Sequence, residues 1–193
     1  MIDLLDPTNV ITRMFDGENY DQLYNYCKDL LKNDSSDMLA LQNISLSLIY
    51  LKNFEEAVTY CDKVLEIKPS DAYAIKNKIF ALENLKQYDQ VLKLCEKLIQ
   101  IDSKDTWALN SMGISLNELD RHKDAILYYD TTLVIDPNDV TALMNKAISL
   151  SHLGNFQDAI NYYDLAQRID SSLREIPSAK SKLFEKLNMP DEA

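Results

Sequence analysis

The 193 residues are enough for one domain and short for two. Twenty Lys and Arg against 31 Asp and Glu leave a net charge of −11, which repels phosphate backbones and argues against a nucleic-acid binder. Three scattered glycines, Gly17, Gly113 and Gly154, exclude the glycine-rich loops that cradle nucleotide phosphates, and an apolar fraction of 46% is that of a folded globular chain.

A period of 34 residues runs through the sequence. Cys27, Cys61 and Cys95 continue into Tyr129 and Tyr163. Leu23, Ala57, Val91, Ala125 and Ala159 form a second column, and Met14, Leu48, Leu82, Leu116 and Leu150 a third. Tyr20, Phe54, Tyr88, His122 and Phe156 form another. These columns define frames at 4–37, 38–71, 72–105, 106–139 and 140–173, the first being the weakest match, as terminal repeats are.

Each frame predicts two helices. Asp6-Pro7 reads as a cap followed by a first-turn proline and opens the first. Ile67-Lys68-Pro69-Ser70-Asp71 ends the second frame and Asp102-Ser103-Lys104-Asp105 the third. In the fourth, Leu109, Met112, Gly113 and Leu116 recur at helical spacing. A break follows near Asp120-Arg121, then a second stripe at Ala125, Tyr128, Tyr129, Thr132, Leu133 and Ile135, stopped by Asp136-Pro137-Asn138-Asp139. Asp170-Ser171-Ser172 closes the fifth. A capping helix is expected over 176–188, with Ile176, Ala179, Leu183, Phe184 and Leu187 on one face and Lys180 intruding on it. Residues 189–193 read as a frayed tail. No segment alternates with the period of a strand.

With these columns in place, the chain resembles the tetratricopeptide repeat (TPR) family. Thr106–Asp139 carries Gly113, Ala125, Tyr129 and Pro137 at the family's spacing, and Val140–Leu173 carries Gly154, Phe156, Ala159, Tyr163 and Ala166. The resemblance implies a single domain over 1–188: an all-α, right-handed superhelical solenoid of about five antiparallel helix pairs. It also implies a concave groove lined by the first helix of each pair, where members bind peptides or protein segments without catalysis. Two departures stand out. Ile79 with Val91 and Ile11 with Leu23 replace small contact residues and should pack more widely than Gly113 with Ala125. Lys78 and Lys146 fall in the apolar column of Met112, where each would lay its stem on the core and lift its ammonium to water.

If the resemblance holds, Asn9, Asn43, Asn77, Ser111 and Asn145 face the groove. A row of asparagines offers paired donors and acceptors to an extended main chain, or else is simply the residue common at that place. Neighbouring columns hold Leu46, Tyr50, Tyr73, Phe80, Trp107 and Met144, with Lys76 and Asn110 among the polar members. Trp107 and Tyr73 either mark a binding surface or pack on the preceding repeat. The family's basic clamp for the chaperone C-terminal carboxylate is missing, because Phe80, Ser111, Thr141 and Asn145 stand where its asparagines and basic pair belong. A groove with Lys76 as its lone base should prefer an apolar segment.

No run of about 18 apolar residues is present, and the acidic start Met1-Ile2-Asp3-Leu4-Leu5-Asp6 lacks the layout of a secretion signal. Three cysteines suit a reducing compartment, so a cytoplasmic chain with no membrane partner is expected. Cys27, Cys61 and Cys95 read as packing residues. His122 fills a ring slot, and His152 has no second metal ligand at helical spacing. No catalytic cluster, metal site or cofactor site stands out. The expected function is a non-catalytic scaffold binding a protein or peptide through Asn43, Asn77, Asn145, Tyr73, Lys76, Phe80, Trp107, Asn110, Leu46 and Met144. The alternatives are self-association into a homo-oligomer or larger complex through the same apolar surface and, further off, a helical-repeat RNA reader, which needs a basic groove.

Overall fold

The computed structural model describes residues 6–188, and all eleven elements among them are α-helices. They are α1 (Pro7–Asp16), α2 (Tyr20–Asn33), α3 (Met38–Tyr50), α4 (Phe54–Ile67), α5 (Ala72–Asn84), α6 (Tyr88–Ile101), α7 (Thr106–Glu118), α8 (His122–Ile135), α9 (Val140–His152), α10 (Phe156–Ile169) and α11 (Ile176–Asn188). Each 34-residue frame thus holds two helices, and α11 follows the last. The start of the first frame and the tail 189–193 lie outside the described residues.

Three polar columns punctuate the pairs. Asp37, Asp71, Asp105 and Asp139 cap the first helices, accepting from the N–H of Ala40, Ala74, Ala108 and Ala142 at 2.8–3.1 Å. Asp34, Asp102, Asp136 and Asp170 begin the turns between pairs, each accepting from the N–H two residues on. Inside each pair the turn needs one left-handed residue. Glu18, Lys52, Lys86 and Asp120 take it at φ of 54–59°, and only in the last pair does a glycine, Gly154 at 79°, occupy that place.

The chain divides into two compact units, residues 1–90 and 91–193. In the first, consecutive helices α1 to α5 pack in order, with Ile11, Leu23, Cys27, Leu41, Ile44 and Val64 at the core. In the second, α7 to α11 pack in the same way, around Leu143, Ala147, Ala159, Tyr163, Ile176 and Leu183. Side-chain size is matched within pairs. Ser45 hydrogen-bonds the Cys61 thiol, whereas Gly113 meets Tyr129 and Ala147 shares a core with Tyr163. Burial pushes the Cys27 thiol up to about 12 and the Cys61 thiol up to about 11, so both act as small apolar groups.

The intruding lysines have partners. Lys78 pairs with Asp62, Lys146 with Asp130 and Lys180 with Asp164, each reaching the acid sixteen residues earlier on the preceding helix. Their ammonium groups therefore pin neighbouring helices together instead of standing in water. Burial works against the Lys146 charge, but the Asp130 carboxylate and the Tyr162 hydroxyl outweigh it and hold the ammonium above its ordinary range. The face of α11 is accordingly narrower than the sequence suggests. Ile176 and Leu183 are buried beside Lys180, whereas Phe184 and Leu187 are exposed.

Candidate partner-binding site

Apart from Phe184 on α11, the large exposed rings among the described residues lie on first helices of the pairs. In unit 1, Tyr50 ends α3, and Tyr73 and Phe80 stand on α5, each between 45% and 49% exposed. Rings of this size stay uncovered at a cost of lost burial, which is why they mark contact surfaces. Tyr50 stacks on Tyr20 at 4.3 Å and 7°, and Phe15 meets both edge-on. Tyr73 lies close enough to Tyr50 to feel it electrostatically. Phe15, Tyr20 and Tyr50 thus form one ring cluster in unit 1, with Tyr73 in its neighbourhood. Burial pushes the Tyr73 hydroxyl up, while its hydrogen bond to Asn77 pulls the other way. Sequence reasoning singled out Tyr50 and Tyr73 but missed Phe15, and assigned Tyr20 to a packing column. The signal was the loop geometry, which brings the end of α1 beside the end of α3.

The asparagine column is committed to its own surroundings. Asn43 donates to the Leu39 carbonyl at 2.7 Å and Asn145 to the Thr141 carbonyl at 2.9 Å, each one turn back. Asn77 donates to Ser45 Oγ at 3.5 Å. Asn43 and Asn145 thus each keep a second amide proton and the carbonyl oxygen, while Asn77 also hydrogen-bonds the Tyr73 hydroxyl. Ser111, in the same column, is buried. Leu46 and Lys76 are half-buried beside this row.

In unit 2, Trp107 opens α7 at 37% exposure, and Met144 and Asn145 lie half-buried on α9. Asn110 is buried, and its amide donates to both carboxylate oxygens of Asp139 at 3.1–3.2 Å. Gln42 reaches Asp71 in the same way at 3.4 Å. This column holds the cap of the following pair, so an intended groove residue serves the junction. A polar network ties α7, α8 and α9. Asn117 donates to the Tyr129 hydroxyl at 3.3 Å, accepts from Ser149 Oγ at 2.8 Å and lies 3.1 Å from His122 Nδ1. His152 stacks on His122 at 4.4 Å, a contact that a 30-residue separation hides from any helical-spacing argument. Among the described residues, no three His, Cys, Asp or Glu side chains converge as a metal would require, and no helix is long and apolar enough to cross a membrane.

Comparison with known proteins agrees with this architecture. No curated protein matches the sequence significantly. Among solved structures, MamA 41-end from Desulfovibrio magneticus RS-1 superposes with a TM-score of 0.80 at 19% identity, covering 87% of this chain and 95% of that one. YrrB, described as a TPR protein with an unusual peptide-binding site, superposes with a TM-score of 0.77 at 18% identity, covering 93% and 92%. At such identities the likeness speaks for the fold. The family model for the N-terminal TPR repeats region of Psidin matches residues 41–168. With the 34-residue columns, the paired helices and this match in agreement, the chain belongs to the tetratricopeptide repeat family.

Proposed function

We propose that the protein is a non-catalytic scaffold that captures an apolar segment of another protein on its first-helix face. The observation that carries this reading is the set of half-exposed rings Tyr50, Tyr73 and Phe80 on α3 and α5. Together with Leu46 they offer apolar contact area, and the remaining amide groups of Asn43 and Asn77 pair with the main chain of the bound segment. Lys76 is the basic group of this face. In unit 2, Trp107, Met144 and Asn145 serve the same purpose. Asn110 contributes by fixing Asp139 and thereby the start of α9.

Affinity capture from the source cell, comparing the unaltered chain with Tyr73→Ala/Phe80→Ala, tests the reading. The expected result is loss of the captured protein with helical content unchanged. Equal capture by a folded double variant overturns it. A mass measurement on the isolated protein separates the self-association alternative, in which a dimer dissociates on the same substitutions.

A further inference from the structure

The junction between α6, α7 and α8 lacks the cation that the equivalent junctions possess. At three other places an acid on a second helix is met by a lysine sixteen residues on: Asp62 by Lys78, Asp130 by Lys146 and Asp164 by Lys180. The Lys146 ammonium also sits over the Tyr162 ring, 4.1 Å from its centroid. At the equivalent place in α6 to α8 the acid is Glu96 and the ring Tyr128, 34 residues before Tyr162, but the lysine is replaced by Met112. Met112 is 2% exposed and ends in a thioether without charge. A cavity of about 280 Å³ opens there, lined by Leu92, Glu96, Met112, Leu127 and Tyr128. Glu96 has no ion-pair partner among the described residues. Arg121 also lines the cavity, but its guanidinium is tied to Asp124, another lining residue, at 2.7 Å.

We infer that this cavity receives a lysine side chain from a partner protein. The ammonium lies between the Glu96 carboxylate and Tyr128, and the alkyl stem lies along Leu92, Met112 and Leu127. The chain's own three lysine–aspartate junctions show what cation fits, and the net charge of −11 draws a basic segment in. The cavity shares no residue with the first-helix face, so the two sites stand or fall separately.

The test is a two-dimensional amide NMR titration with the peptide acetyl-Ala-Lys-Ala-amide, using its norleucine isostere as control. The expected result is saturable shifts of the Glu96, Met112, Leu127 and Tyr128 amides with the lysine peptide alone. Glu96→Gln weakens binding about tenfold, the loss of one charge-assisted contact. Met112→Lys supplies the cation from within, as Lys78 and Lys146 do at their junctions, and abolishes binding. Absent shifts, equal shifts with norleucine, or unchanged affinity in Glu96→Gln overturn the inference, and the Glu96→Gln result stands even if Met112→Lys does not fold.

Discussion

Tyr129 lies against the bare backbone of Gly113, where an added Cβ would come within 2.6 Å of the tyrosine Cζ. The glycine is therefore required by its neighbour's size and not by its own backbone, which is ordinary helix. In unit 1, where cysteine takes the tyrosine's column, the facing residues are Ile11 and Ser45. Interiors packed to crystal density force such compensation. Gly113→Ala is expected to cost about 1–3 kcal/mol through overpacking. In a Tyr129→Cys background the same change should cost less, a coupling that urea denaturation followed by circular dichroism reads directly.

The lysine–aspartate junctions predict an asymmetry. Asp130→Asn leaves the nearly buried Lys146 ammonium without its counter-charge and should destabilise by about 1–2 kcal/mol, moderated because Asp130 is half exposed. Lys146→Met removes the charge with its need for a partner, as Met112 does naturally, and should change stability by less than about 1 kcal/mol. Denaturant midpoints of the two variants check the order.

Left-handed turn residues give a third expectation. Lys52 and Lys86 hold φ of 59° and 57° with a Cβ that resists it. Lys52→Gly and Lys86→Gly should each gain about 0.5 kcal/mol, the relief of strain less the entropy glycine loses on folding. Gly154→Ala should lose about 1 kcal/mol although no atom lies within 4 Å of the added Cβ, because the backbone alone opposes it. Thermal melts of the three variants measure this.

Asp71 predicts a pH dependence. Burial pulls its carboxyl upward, but the Ala74 N–H, the Lys68 ammonium and the Gln42 amide outweigh that and hold it below the ordinary carboxylate range. A depressed folded value means that the contribution is present above the unfolded value of about 3.9 and is lost as pH falls through the lowered one. Asp71→Asn keeps a capping oxygen without the charge. The stability gap between the two chains should be full near neutrality and close in acid, as denaturation at a series of pH values shows.

Much of the fold was legible from the sequence because 34-residue columns register identical environments, and Asp-Pro, Asp-Ser or Lys-Pro punctuation marks the end of each frame. Pairing of charges was not. Lys180 looked like a defect in an apolar stripe because its partner, Asp164, lies on a different helix, and only stacking brings the two together. The same distance hid the His122–His152 stack. The rings of the candidate face could be singled out because Tyr73, Phe80 and Trp107 fall outside the core columns of the repeat. Its amides were not legible, because local carbonyls compete for Asn43 and Asn145, and the cap Asp139 takes Asn110.

The most direct measurement is site-specific photocrosslinking in the source cell, with a photoreactive phenylalanine analogue placed at Tyr73 and, as reference, at Val134, an 84% exposed apolar residue on the second helix α8. The first-helix reading predicts a covalent adduct with another protein from position 73, suppressed by Phe80→Ala, and none from position 134. Adducts from position 134 alone, or equally from both, contradict it.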